Sequence, residues 1–251
     1  MLRHISRSAL ILAAFLLLGL NQSALAQKPA AKKNLEQALQ YKEEGSLFQA
    51  KESLQKALET DPGYHIARVE LAGVYADLNM LEEAADELAK LKKVSQPLPR
   101  YHTYQGLVNY KLGLETWTKL VQNHPEYMYK DDGTVQFIKK GVAPETQIDK
   151  LEKKIEKDTT QFEARYQLRG MYYDVAIAEL GQAVKQAPKD TLAYLTLGLT
   201  YLERGKKDLA LKQKQALEKI DPQSAKDLQA MMDFVEQGKK ELEEDLQKDN
   251  M

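Results

Sequence analysis

Residues 195–222 read LTLGLTYLERGKKDLALKQKQALEKIDP, and this stretch decides the fold. Small and large apolar residues recur at three- and four-residue spacing on both sides of Gly205, which is the pattern of two amphipathic helices. Gly205 suits a turn that needs a positive φ. Pro222 ends the second helix, because the residue before a proline disfavours the helical region. The stretch therefore predicts an antiparallel helical hairpin.

The same hairpin pattern recurs near the N-terminus, where ALETDP ends at Pro62 as ALEKIDP ends at Pro222. This pattern resembles the tetratricopeptide repeat, a 34-residue helical hairpin with small and large apolar residues at fixed positions. The resemblance implies an all-α fold, a superhelical solenoid of hairpins. The residues that carry it are Leu197, Gly198, Tyr201 and Ala210 in the last repeat, Tyr41, Ala50, Leu54 and Ala57 in the first, and Leu71, Ala72, Tyr75, Ala84 and Leu88 in the second.

The repeats divide the chain into predicted segments. Two N-terminal repeats occupy residues 27–99, a degenerate repeat with an insertion occupies 100–144, and further repeats occupy 145–224. A capping helix with a charged tail is expected at 225–251, because the last repeat of a stack needs a polar cover. Leu228, Met231, Met232 and Val235 are predicted to cover the exposed edge of that repeat.

The middle of the chain departs from the repeat. Gly113 is predicted to lie in the turn of the degenerate repeat. Near residues 161–190 the first helix looks short, either because five residues are missing or because Tyr166 and Gly170 take the tyrosine and turn positions with a one-residue slip.

The segment 126–144 is the interruption that the repeat does not explain. It contains Tyr127, Tyr129 and the turn signal Asp132-Gly133, which predict a short β-hairpin or an irregular loop. Insertions in solenoids often lie on one face and often carry binding. A helix is predicted to resume in the stretch that follows Pro144.

The N-terminus has the pattern of a secretory signal. A basic start is followed by the apolar run Ala9 to Leu20 and by Ala24-Leu25-Ala26, which fits a cleavage site before Gln27. The apolar run is shorter than the roughly 20 residues that span a bilayer. We therefore expect residues 1–26 to be a cleaved signal peptide, with a retained anchor as the alternative, and the protein to be periplasmic.

Charge and composition narrow the classes of partner. The formal net charge of −1 becomes −3 when Arg3 and Arg7 leave with the signal. That weak acidity predicts no nucleic-acid partner and no membrane partner after signal removal. The chain has no cysteine, which rules out disulfides and thiolate zinc sites.

No recognisable motif for catalysis, cofactor binding or metal binding occurs in the sequence. There is no glycine-rich phosphate loop and no nucleophile elbow. His65, His102 and His124 lack metal-ligand spacing and are interpreted as surface residues. The prediction is a protein that is not an enzyme and has no cofactor.

The candidate partner-binding residues follow from the resemblance, which implies that the first helix of each hairpin lines a concave face. In the last repeat this places four leucines on that face, as an apolar stripe that fits an amphipathic helix or extended peptide. The alternative is that the stripe packs against the terminal helix or the neighbouring hairpin. The predicted residues are Leu192, Leu195, Leu199 and Leu202, with Glu70 and Asp77 in the second repeat and Tyr127 and Tyr129 in the insertion.

Three functional hypotheses result. The first is an adaptor or assembly factor that binds a peptide or helix of another envelope protein; this step is an analogy, since one fold serves many functions. The second is a glycan or small-ligand site, or an unrecognised enzyme site, in the tyrosine-rich segment 126–144. The third is a structural repeat protein that associates with itself.

Overall fold

The computed structural model describes residues 28–95, 97–122 and 137–249. Within these ranges the chain forms ten α-helices and no β-strand, which confirms the all-α solenoid of helical hairpins. The helices are α1 (Pro29–Glu43), α2 (Leu47–Thr60), α3 (His65–Asp77), α4 (Leu81–Ala89), α5 (Tyr101–Val121), α6 (Pro144–Lys157), α7 (Phe162–Gln186), α8 (Thr191–Glu203), α9 (Lys207–Leu217) and α10 (Pro222–Asp249).

Three ordinary hairpins share one turn geometry. The α1–α2 turn has Gly45 at φ +74°, the α3–α4 turn has Asn79 at φ +60°, and the α8–α9 turn has Gly205 at φ +65°. Glycine and, less often, asparagine adopt this left-handed conformation at low cost. Small residues such as Ala50 and Ala84 are fully buried between the paired helices, so the helix axes approach closely.

The third hairpin pairs α5 with α7, although α6 lies between them in the sequence. The N-terminal half of α5 packs against the C-terminal half of α7, and a Cβ added at Gly106 would lie 2.4 Å from Leu180 Cγ. This hairpin is therefore a repeat that is split by an inserted helical segment.

The predicted turn at Gly113 is wrong, since α5 runs through that residue without a break. Gly113 instead allows close packing, because a Cβ there would lie 2.3 Å from the ring of Tyr173. No turn lies at Gly170 either, because α7 is continuous and Phe137 packs on that glycine. Glycine at a helical close approach and glycine in a turn look alike in a sequence.

The inserted residues form what we call the arm: residues 113–121 of α5, residues 137–157, and residues 162–172 of α7. The arm has its own apolar core. Of the predicted insertion, only 137–144 lies among the described residues, and it contains no strand there. The buried members of the arm core are Leu120, Phe137, Ile155, Ala164, Tyr166, Leu168, Met171 and Tyr172.

The C-terminal helix α10 packs against both α8 and α9. Leu228 and Met232 are buried in this contact, and Leu228 closes on Gly198 of α8. Met231, which the sequence placed in the same contact, is exposed because it lies toward the outer side of the helix. Among the residues whose exposure the structure describes, Phe234 is the most exposed large apolar residue, at 72%.

Candidate functional site

A polar cluster connects the first helices of the first three hairpins. Lys42 lies in the last turn of α1, Glu70 lies in α3 and Tyr104 lies in α5. The ammonium of Lys42 is 2.9 Å from the Glu70 carboxylate and also donates to the Tyr104 hydroxyl, which itself donates to Glu70 at 3.0 Å. We call these three residues the concave cluster, because the resemblance to the tetratricopeptide repeat implies that first helices line a concave face.

Gly73 explains how Tyr104 reaches this position. The tyrosine ring lies directly on Gly73, where an added Cβ would be 2.4 Å from the ring. Tyr104 is completely buried as a result, and its hydroxyl meets Glu70 on the same face of α3. Val69 and Ala76 in the same helix are fully buried as well.

Three charged side chains surround the concave cluster. The guanidinium of Arg100 lies 4.6 Å over the Tyr104 ring and 3.8 Å from the Glu70 carboxylate. Lys111 donates to the carbonyl of Ala76 in the last turn of α3, where the helix dipole favours a cation. Asp77 is exposed. These three residues form what we call the rim.

Burial controls the protonation of this site. The pKa of Tyr104 is raised far above its ordinary value, first by burial and then by the negative charge of Glu70. The pKa of Asp77 is also raised, because loss of hydration outweighs the opposing effect of Lys42, Lys111 and Arg100. The rim therefore contains two cations and one incompletely solvated carboxyl group.

The predicted site residues fall into three groups. Glu70 and Asp77 belong to one polar site, with Glu70 buried in the cluster and Asp77 on the rim. The four predicted leucines of α8 are half-buried. Three of them, Leu195, Leu199 and Leu202, pack against an apolar cluster shared by α9 and α10. Tyr127 and Tyr129 lie outside the described residues. A partner contact by any of these residues stays a prediction.

A second polar group, which the sequence did not single out, joins the arm to the last repeat. Arg204, at the end of α8, is 1% exposed and lies 3.1 Å from the carboxylate of Asp174. Its guanidinium is 4.8 Å over the Phe137 ring. Arg169 stacks on Trp117 at 4.1 Å and donates to the Glu203 carbonyl.

The residues of these two polar groups left little signal in the sequence. Lys42 is distant in the chain from Arg100, Tyr104 and Lys111, and the four residues match no motif. An arginine within an apolar helical run, as in QLRGMYY around Arg169, is the one available hint of a buried cation.

The part of the chain that the structure describes shows no metal-binding group and no membrane-spanning helix. Residues 28–95, 97–122 and 137–249 contain no group of three or more histidine, aspartate or glutamate side chains that could hold a metal ion. No helix in those ranges is long and apolar enough to cross a bilayer. His102, one of the three histidines discussed above, bonds Glu179 at 2.6 Å.

Solved structures with a similar fold include several repeat proteins. MamA is 21% identical, over 76% of this chain and 91% of that chain, with a TM-score of 0.32. YrrB, described as a TPR protein with an unusual peptide-binding site, is 20% identical over 82% and 100%, with a TM-score of 0.31. PilW, described as a type IV pilus biogenesis factor, is 16% identical over 82% and 93%, with a TM-score of 0.34. Likenesses this weak carry no argument about function.

Sequence models of the tetratricopeptide repeat match residues 41–107 and 161–225, which together span just over half of the 251 residues. No curated protein matches the chain. The two matches cover the first hairpins and the last ones, and they confirm the resemblance of the repeated pattern. The chain therefore belongs to the tetratricopeptide repeat family.

Proposed function

We propose that the protein is an exported interaction adaptor whose concave face binds a peptide or helix of another envelope protein. The observation that carries the proposal is the concave cluster with its rim, which spans three successive first helices. Tetratricopeptide repeats commonly bind partners through this face, and here the face carries buried, mutually bonded polar groups.

The arrangement suits recognition better than catalysis. The half-buried Lys42 and the buried Glu70 and Tyr104 satisfy one another, so the floor of the site is held rigid before a partner binds. The rim residues Arg100, Asp77 and Lys111 keep polar atoms near the surface. They can bond backbone or side-chain groups of a partner segment without exposing an unpaired charge in the core.

Export is the second part of the proposal, and it rests on the signal-like sequence of residues 1–26. Cell fractionation with mass spectrometry of the mature N-terminus tests it directly. A periplasmic protein that begins at Gln27 is expected. A cytoplasmic protein that retains residues 1–26 would contradict this part and leave the concave site untouched.

Site-specific photo-cross-linking tests the binding face. A photoreactive residue at Asp77 is expected to capture an envelope protein, and the same residue at Lys56, exposed on the outer helix α2, is expected not to. Arg100→Gln with Lys111→Gln should abolish capture from position 77 while the circular dichroism spectrum stays unchanged. Equal capture from both positions would show that the concave face is not the binding site.

A further inference from the structure

The helix α6 separates its charges onto two flanks. Its apolar side, with Ile148, Leu151 and Ile155, packs into the arm. Residues spaced three or four apart share one side of a helix. By that spacing the acids lie on one flank and the lysines on the other, and the basic flank contains Lys150, Lys153, Lys154 and Lys157.

Two acids of the acidic flank contact other segments of the chain, whereas Asp149 and Glu156 are exposed. Glu145 accepts a hydrogen bond from Lys92, just beyond α4, at 2.9 Å, and this bond lowers the pKa of Glu145. Glu152 accepts a hydrogen bond from the hydroxyl of Tyr172 in α7. Contacts within the chain therefore use part of the acidic charge, and the lysines are left on the side that faces away.

Gln147 extends the basic flank into the preceding segment. Its side chain is 8% exposed and bonds both the N–H of Lys139 at 2.9 Å and the carbonyl of Val142 at 3.0 Å. Gln147 lies about one helical turn before Lys150 and on the same side. The exposed Lys139 and Lys140 are thereby held next to the lysines of α6.

We propose that this basic flank binds the phosphate headgroups of an anionic lipid surface. All six lysines are exposed; four of them lie along a helix of about 21 Å, and Lys139 and Lys140 lie in the segment that precedes it. Of these six lysines, only Lys153 forms an ion pair with a residue that the structure describes, namely Asp149 at 2.8 Å. The six residues of the flank are Lys139, Lys140, Lys150, Lys153, Lys154 and Lys157.

The chemistry favours a lipid surface over a specific peptide groove. Lysine ammonium groups are flexible point charges, which suit a diffuse layer of phosphates better than one geometrically fixed carboxylate. The apolar side of α6 is already buried in the arm, so contact is electrostatic and needs no insertion into the bilayer. The prediction of no membrane partner rested on the net charge of −3 for the mature chain, and a net charge averages over this local segregation.

Vesicle sedimentation tests the proposal with the full mature chain. Vesicles of phosphatidylcholine with about one third phosphatidylglycerol are compared with pure phosphatidylcholine at low and physiological salt. Binding to the anionic vesicles alone is expected, and it should weaken as salt screens the charges. Replacing Lys150, Lys153, Lys154 and Lys157 with glutamine should weaken binding about 100-fold or more, since each lysine near an anionic surface contributes roughly a factor of five.

A matched control variant changes the net charge equally at four exposed lysines elsewhere, namely Lys33, Lys56, Lys185 and Lys212 replaced with glutamine. The affinity of this control variant for the anionic vesicles should stay within about threefold of the wild-type affinity. Equal losses in the two variants would overturn the proposal, as would no binding to anionic vesicles at low salt. Binding of soluble poly-glutamate by the flank without vesicle binding would also overturn it and would identify an acidic protein segment as the ligand.

Discussion

The guanidinium of Arg204 lies 3.1 Å from the carboxylate of Asp174, in a contact where the arginine is 1% exposed. The two residues belong to different repeats, since Asp174 is in the split hairpin and Arg204 ends the first helix of the next one. Asp174 also accepts the backbone N–H of Phe137. One carboxylate thus holds the inserted segment and the last repeat together.

Arg204→Ala is expected to lower the free energy of unfolding by about 3 kcal/mol or more, because removing one partner leaves a poorly compensated carboxylate. Urea denaturation measures the change. Lys212→Ala, an exposed position on α9, is the control and should stay within about 0.5 kcal/mol of the wild type. A loss below about 1 kcal/mol for Arg204→Ala would contradict the structural role of the pair.

Gly113→Ala should destabilise the protein by about 1–3 kcal/mol, because the new methyl group would meet the Tyr173 ring at 2.3 Å. Gly181→Ala is the matched control in α7, since a Cβ there meets nothing within 4 Å. That control should be neutral or stabilising by up to about 1 kcal/mol, because alanine favours helix. Thermal unfolding compares the two, and equal tolerance would place Gly113 outside the helix contact.

Alkaline pH should destabilise the fold. Burial raises the pKa values of Tyr104, Tyr110, Tyr172 and Tyr173 above the usual tyrosine value, so the native state keeps protons that the unfolded chain loses above about pH 10. Unfolding then releases protons, and its free energy falls as pH rises, by up to about 1.4 kcal/mol per pH unit for each tyrosine.

Urea titrations between pH 9 and pH 11 measure this slope. The variant Tyr172→Phe removes one of the four groups and should give a shallower slope. Identical slopes for the variant and the wild type would mean that Tyr172 does not retain its proton in the folded state.

Asp77→Asn should stabilise the protein slightly at pH 7. The folded-state pKa of Asp77 is raised, so the ionised carboxylate is disfavoured in the fold, and stability from this group is lost as pH rises through that pKa. The gain should stay below about 1 kcal/mol because the residue is exposed, and it should vanish below about pH 3, where the carboxyl group is protonated in both states.

Thermal melts at pH 7 and pH 3 compare Asp77→Asn with Asp86→Asn, an exposed control on α4. A destabilised Asp77→Asn at pH 7 would show that the electrostatic attraction of Asp77 to Lys42, Lys111 and Arg100 outweighs its loss of hydration.

Leu195→Asp with Leu199→Asp distinguishes packing from an open groove. Both leucines are half-buried against the α9–α10 cluster, so two buried carboxylates should cost several kcal/mol and melt the end of the array. Circular dichroism and urea denaturation measure the loss, with the exposed Leu211→Asp as control. A stable double variant that loses a captured partner would instead favour the apolar stripe as a binding surface.

The sequence by itself determined the hairpin repeat. Short-range spacing of Leu197, Gly198, Tyr201 and Ala210 fixes which helix faces meet, and this information is local to 34 residues. The tertiary structure alone decided the split hairpin, the concave cluster and the Arg204–Asp174 pair. These features depend on contacts between residues that are far apart in the chain. Whether the backbone at Gly113 forms a turn or continues a helix depends on whether the Tyr173 ring packs against it. A repeat pattern encodes neighbours within one hairpin, whereas contacts between distant segments are set only when the hairpins stack.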